Sequence, residues 1–247
     1  MATLVVGLVV LVNGPWLRVG TVVWAGQRFT PGYQLERIVG RLRGAQLLTI
    51  DSTALAADLG ALPAVATVRV EALLPDRLRV TIVERKAAFI WRTTAVQLVC
   101  ADDGTVIGQV ALRSALAKNL AALPLVDDRR VDSRNIIEGD SIDAATVAMA
   151  LRLAAIQPAA LGSAARGVSV WLDDEYGFVL IAQGAGWKAA FGRYAQDAGG
   201  VQGSAATASA DAILAQVAAI RTLFAVQPER SVSWVDARNP GKVYWRP

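Results

Sequence analysis

The chain opens on an unbroken apolar run, Ala2 to Val12, and leaves it through Asn13-Gly14-Pro15-Trp16-Leu17-Arg18. A helix that crosses a bilayer needs about 20 apolar residues, and this run supplies roughly half of them. No cationic stretch precedes it and no small-residue cleavage site follows it, so a signal peptide fits poorly. One reading is a buried strand or short core helix. The sharper one is the outer half of a membrane anchor that starts upstream of Met1, with Trp16 at the interface and Arg18 just beyond. Residues 1–18 are read as that partial transmembrane segment and its exit. Everything after Arg18 then lies on the far side of the membrane.

Beyond Arg18 the pattern alternates between strand and helix periods. Residues 19–26, VGTVVWAG, are rich in β-branched side chains and predict a strand. Thr30-Pro31 offers a hydroxyl cap and then Pro at the first helical position. Leu35, Ile38, Val39 and Leu42 recur at helical spacing, so 31–43 predicts an amphipathic helix, stopped by Gly44. Residues 47–50 predict a short extended link. Asp51-Ser52 caps a second helix with Leu55, Leu59 and Leu62 on one face, and Pro63 ends it. Ala66, Val68 and Val70 alternate with Thr67, Arg69 and Glu71. Leu78, Val80 and Ile82 alternate with Arg77, Arg79 and Thr81. These are half-buried strands joined at Leu74-Pro75-Asp76. The order β-α-α-β-β predicts a small three-stranded sheet with both helices on one face.

The remainder is larger and strand-rich. Short strands are predicted at 89–92, 96–101 and 106–110 around the turn Asp102-Asp103-Gly104, with a brief extended piece at 123–126. Ser141 is expected to cap a helix carrying Ile142, Val147, Leu151 and Ala154, which Gln157-Pro158 closes. Strands 168–172 and 178–181 flank a turn at 173–177, and 187–194 predicts another strand. Residues 198–208, rich in Gly, Ser, Ala and Gln, are read as a flexible loop. Ile213, Val217, Ile220 and Phe224 mark a last helix over 212–224. Strands 231–237 and 242–246 end the chain, with Asn239-Pro240-Gly241 between them. The fold class is α+β.

Composition narrows the chemistry. Of the 247 residues 54% are hydrophobic and 19% charged, and mean hydropathy is +0.39, which excludes intrinsic disorder. There are 0 histidines, which removes Ser-His-Asp and Cys-His triads, His-ligated zinc and haem with a His ligand. The 1 cysteine, Cys100, precludes an internal disulfide and alternates with Leu98 as a small core residue. The net charge of +4 is scattered, with no basic run interleaved with aromatics as a nucleic-acid groove would need. It reads as ordinary surface, with weak affinity for anionic lipid or cell wall as a lesser option. The carboxylate pairs Asp102/Asp103, Asp127/Asp128 and Asp173/Asp174 all fall at predicted turns, where Asp bonds local amides. Gly104-x-x-x-Gly108 lacks the Lys-Ser/Thr of a phosphate loop. No catalytic, cofactor or metal residue is assigned.

From residue 19 to 91 the chain resembles the FtsQ-type POTRA domain of the FtsQ/DivIB cell-division proteins. The resemblance rests on VVWAG, Leu47-Leu48-x-Ile50-Asp51, Leu62-Pro63-x-Val65, Val68-x-Val70, Pro75, Leu78-x-Val80, Glu84-Arg85 and Trp91. It continues through Leu123-Pro124, Gly177-Phe178, Trp187-Lys188, Phe191-Gly192 and Val235-Asp236-Ala237-Arg238. Departures are Ala87 where the family usually has Pro, Ala237 within Asp-Leu-Arg, and a longer loop at 198–208. The resemblance implies a POTRA domain at 19–86 and a β-rich FtsQ/DivIB domain at 87–247. Glu84-Arg85 is read as a surface ion pair or turn anchor, or alternatively as the fixture of the domain joint.

The last strand is short, aromatic and terminal, so it is expected at a sheet edge. An unpaired edge invites strand addition from another chain, and Trp and Tyr often anchor interfaces; the plainer reading is that Trp245 completes the core. The resemblance implies that Val235, Asp236, Arg238, Lys242, Val243, Tyr244 and Trp245 receive an FtsB/DivIC-like partner. It further implies FtsL-like partners and septal peptidoglycan synthases, with no cofactor, no nucleic acid and no small-molecule substrate. The whole is expected to be a non-enzymatic, single-pass inner-membrane scaffold at the division septum. The alternatives are a POTRA-type chaperone in polypeptide translocation, against which no second POTRA repeat or barrel pattern follows, and an extracytoplasmic enzyme, against which no polar constellation converges.

Overall fold

The computed structural model describes residues 14–110, 120–193, 202–239 and 241–247. The apolar run Ala2–Val12 and the start of the 198–208 stretch lie outside them. Among the described residues no helix is long and apolar enough to cross a membrane. The chain divides between Lys86 and Ala87 into two compact units.

The first unit contains β1 (Thr21–Ala25), α1 (Gly32–Val39), α2 (Ser52–Gly60), β2 (Val65–Leu73) and β3 (Arg77–Glu84). The sheet order is β1-β3-β2, with β1 parallel and β2 antiparallel to the central strand. Strand β3 shows why the pattern was readable. Leu78, Val80 and Ile82 are buried while Arg77, Arg79 and Thr81 are exposed, so its even positions meet the helices. Leu35 and Val39 of α1 and Leu55 and Leu59 of α2 close that core. Asp51 caps α2 by accepting from the Thr53 and Ala54 amides, each at 2.9 Å.

Two local expectations change here. Thr30 is not the cap of α1. The N-cap is Pro31, held extended, and the Thr30 hydroxyl is buried without a hydrogen-bond partner among the described residues. The reason lies on β3, whose Glu84 carboxylate takes the Thr30 amide and fixes the backbone ahead of the helix. Residues 47–49 form a 3-10 turn rather than an extended link, while Arg18 bridges to Gln46. Gly44 adopts φ +79, a left-handed turn that L side chains resist, and its amide bonds the Val19 carbonyl at 2.9 Å.

The second unit is a nine-stranded mixed sheet in the order β12-β11-β10-β9-β8-β7-β4-β5-β6. Its strands are β4 (Phe89–Arg92), β5 (Gln97–Cys100), β6 (Val106–Gln109), β7 (Leu125–Asp128), β8 (Val168–Asp173), β9 (Gly177–Ala182), β10 (Lys188–Gly192), β11 (Trp234–Asp236) and β12 (Tyr244–Arg246). Helix α3 (Ala144–Ala154) links the parallel pair β7 and β8, and α4 (Gln202–Val226) links the parallel pair β10 and β11. Parallel neighbours require such crossovers. Both helices bury residues in one core, with Val147, Leu153, Ile220 and Leu223 packed with Trp91, Val170, Leu180, Ala189 and Val235.

Three further expectations are corrected. The cap of α3 is Asp143, which accepts from the Thr146 amide at 2.8 Å; Ser141 is drawn into a bridge with Thr105 instead. The helix before β11 begins at Gln202, so most of the supposed loop at 198–208 is helical. Alanine-rich sequence favours helix regardless of its low complexity. Asp127 and Asp128 are strand residues of β7, not turn residues. Because successive strand residues face opposite sides, they do different things, as follows.

Candidate functional site

Asp128 faces the helices and is fully buried. It accepts from Trp91 Nε1 at 3.0 Å, from Arg130 Nε at 2.9 Å and from Arg130 NH2 at 2.8 Å. That hydrogen bond to Asp128 raises the Arg130 pKa, against a smaller opposing effect of burial. Asp127 faces the other way and is gripped by Arg92 and Arg129. Burial raises its pKa, yet the hydrogen bonds from those guanidiniums outweigh it and hold the carboxyl below its ordinary value. Each acid is held by arginine: Asp128 by Arg130, and Asp127 by Arg92 and Arg129. A polar cleft of about 500 Å³ is lined by Arg130, Asp140, Ser141, Asp143 and Thr146. Arg130 and Asp143 already hold Asp128 and α3 there.

Of the remaining carboxylate pairs, Asp102/Asp103 lies in a turn and Asp173/Asp174 straddles the end of β8 and the turn after it. Asp103 accepts from the Thr105 amide, and Asp173 from those of Glu175 and Tyr176. Cys100 is buried, and burial pushes its thiol up to about 12.

Glu84 accepts from the Arg28 amide at 2.7 Å, the Phe29 amide at 2.9 Å and the Thr30 amide at 2.7 Å. All of these bonds lie inside the first unit, so Glu84 acts as a turn anchor between β3 and the segment that enters α1. The Arg85 amide bonds the Ala64 carbonyl at 2.7 Å, tying the same strand end to the start of β2.

The sheet's two edges differ. At β6, the Val106 amide bonds Asp140 and the Gly139 amide bonds Val106, while Ile142 bonds Gly104. The 139–142 segment therefore bonds to the start of that edge, at Val106. At the opposite end β12 is outermost, and among the described residues no strand pairs on its far side. All of its residues are exposed, with Tyr244 at 61% and Trp245 at 38%. β12 is held by β11, where Trp234, Val235 and Asp236 stand opposite Arg246, Trp245 and Tyr244. Directly opposed residues share a face. Val235 is fully buried toward the core, so Trp245 extends the core face past its margin into solvent. Val243 packs against the core just before the strand.

Tyr244 and Arg246 lie on the open face with Asp236 and Trp234. Trp234 meets the Tyr176 ring edge-on at 4.7 Å, and the Arg238 guanidinium lies 5.4 Å from the Tyr176 centroid. Arg238 also clamps Asp236, with Nε at 2.9 Å from Oδ1 and NH2 at 2.6 Å from Oδ2. That hydrogen bond holds the Asp236 carboxyl below its usual range. Further in, Lys188 and Arg129 both lie over the Trp171 ring, at 5.0 Å and 3.2 Å. The terminal residues singled out from the sequence thus gather at one sheet edge. The Tyr176, Trp171, Lys188 and Arg129 array was missed, since its members come from distant segments. The one legible signal was Trp171 alternating with buried Val170 and Leu172.

The edge is held from behind. Gln216 of α4 is buried and donates to the carbonyls of Phe191 at 3.0 Å and Ala237 at 2.6 Å. Glu229 accepts from Trp187 Nε1 at 2.6 Å, from the Ala164 amide at 3.0 Å and from the Ser163 hydroxyl. Burial raises the Glu229 pKa, but these bonds outweigh it and lower it overall.

The three-stranded β-α-α-β-β unit has the element order of a POTRA domain, and a nine-stranded mixed sheet follows it. Residues 17–85 match the family model described as POTRA domain, FtsQ-type. The cell division protein FtsQ of Chloroflexus aurantiacus is 34% identical over 151 residues, 59% of this chain and 50% of that protein. The cell division protein FtsQ of Bradyrhizobium diazoefficiens is 29% identical over 124 residues, 50% of this chain and 35% of that protein. The aligned stretch thus spans half or less of the length of these curated relatives. The chain is therefore similar to FtsQ cell-division proteins, and its first unit carries the FtsQ-type POTRA match.

Proposed function

We propose that this chain serves bacterial cell division as a non-enzymatic scaffold, anchored in the inner membrane by a single span that includes Ala2–Val12. Its folded units then lie outside the cytoplasm, at the septum. The terminal edge receives a strand from an FtsB/DivIC-like partner, with an FtsL-like chain alongside, and the assembly supports septal peptidoglycan synthases. Val235, Asp236, Arg238, Lys242, Val243, Tyr244 and Trp245 form the docking margin. Main-chain bonds to β12 supply affinity, and the Tyr244 and Trp245 rings supply the pockets and anchors that choose the partner. Glu84 and Arg85 stiffen the point where the chain leaves the POTRA unit.

The observation that carries this reading is the inequality of the edges: β6 is bonded at Val106 by 139–142, whereas β12 is outermost, exposed and, among the described residues, unpaired on its far side. An exposed aromatic edge is an aggregation liability unless a partner uses it. Trp245→Glu or deletion of residues 239–247 tests it. Either change should abolish co-purification of the FtsB/FtsL-like pair while circular dichroism stays native. Undiminished co-purification would refute the proposal.

A further inference from the structure

The POTRA unit carries a second surface that the edge-strand reading does not use. Strand β1 begins where the β2–β3 turn ends, because the Gly20 and Thr21 amides both bond the Asp76 carbonyl, at 2.9 and 3.2 Å. The end of the β2–β3 turn, at Asp76, therefore stands beside the start of β1, at Gly20 and Thr21. Leu74 is 66% exposed and Trp16 50% exposed. Both are large apolar side chains that reach solvent near the end of the unit where β1 begins. Exposed cations flank them: Arg18 follows Trp16, and Arg77 stands opposite Thr21 across the β1–β3 ladder. The neighbouring acid is Asp76, whose carboxylate lies over Gly20. Arg43, from the segment packed beside Val19, is neutralised by Glu36 at 2.7 Å.

This end of the unit is also where the sequence changes from the apolar run Ala2–Val12 to folded chain. Any bilayer that holds the run stands within a few residues of Trp16. Tryptophan favours the headgroup level, and arginine near an anionic surface is attracted to lipid phosphate. We infer that this pole of the POTRA unit binds an anionic phospholipid surface, with Trp16 and Leu74 entering the headgroup layer and Arg18 and Arg77 engaging phosphates. The inference rests on the anchoring proposed above. It adds a site that sets how the POTRA unit stands on the membrane, where a bare tether would leave it free to tumble.

Spin labelling of the full chain separates the two ideas. Cys100 is buried and its thiol is pushed up to about 12, so an introduced cysteine takes the label. Leu74→Cys would be compared with Val83→Cys, another exposed apolar position, toward the opposite end of β3. Each would be reconstituted into vesicles of phosphatidylglycerol with phosphatidylcholine, and of phosphatidylcholine alone. The expected result is co-flotation with vesicles and a label at residue 74 several-fold more accessible to oxygen than to a water-soluble nickel chelate. That ratio should fall in phosphatidylcholine alone and in Arg18→Glu/Arg77→Glu. Co-flotation with the two labels equally water-exposed overturns the surface and leaves the anchor standing. Failure to co-float overturns the anchor, and the surface with it.

Discussion

Removing Arg130 tests the energetic centre of the large sheet. Asp128 has no solvent exposure, and the Arg130 guanidinium supplies two of its hydrogen bonds, at 2.9 and 2.8 Å. Arg130→Met deletes both and leaves the carboxylate with the Trp91 indole and the Arg130 amide, at 3.0 and 3.1 Å. Breaking one side of a buried pair costs about 3–5 kcal/mol. The Arg130 side chain is 30% exposed, so water softens the pair and the low end, about 3 kcal/mol, applies. For a unit of this size, each kcal/mol moves Tm by about 2–4 °C, which gives a fall of about 6–12 °C. Calorimetry and chemical denaturation of the same variant read it. Asp128→Asn in the Arg130→Met background keeps the acceptor for Trp91 and removes the stranded charge, so it should recover part of the loss. A single-variant shift below about 2 °C, or a double variant no better than the single, would refute the reasoning.

Other consequences are independent of that pair. Glu229 has its folded pKa lowered, so its contribution is fully present above its ordinary value of 4.5 and lost as pH falls through the lower folded value. Glu229→Gln should therefore flatten the acid limb of the stability–pH curve below about 4.5 and leave its shape near neutrality unchanged; an unchanged acid limb contradicts this. Cys100 should resist alkylation at pH 8 in the folded chain and react within minutes once unfolded, and rapid native labelling would count against its burial. Glu84→Ala should cost about 2–3 kcal/mol and speed amide exchange at 28–30, with little change in the second unit; uniform exchange across both units would contradict the local anchor.

Much of this fold was legible because its signals are local. The alternation of Leu78, Val80 and Ile82 needed only the strand period, and the β8–β9 turn needed only Asp173 and Gly177. Local signals also misled. Ser141 and Asp143 are both plausible caps two residues apart, and a long-range bridge to Thr105 decided between them. The run from Gln202 looked like a linker because composition was weighed above alanine's helix propensity. Asp127 and Asp128 looked like a turn pair because their partners on β4, Arg92 and Trp91, lie far upstream in the chain, where no short window joins them. The exposed end strand could be expected from its place in the sequence. The bonding of the opposite edge at Val106 depends on the 139–142 segment folding back to β6.

Hydrogen exchange along the two edges tests the central claim most directly. The full chain would be titrated with the soluble part of an FtsB/DivIC-like partner. Saturating partner should slow exchange in residues 242–247, with no change at Val106–Gln109, and Trp245→Glu should remove the effect. Saturated binding that leaves 242–247 unprotected, or that protects 106–109 instead, would contradict the account.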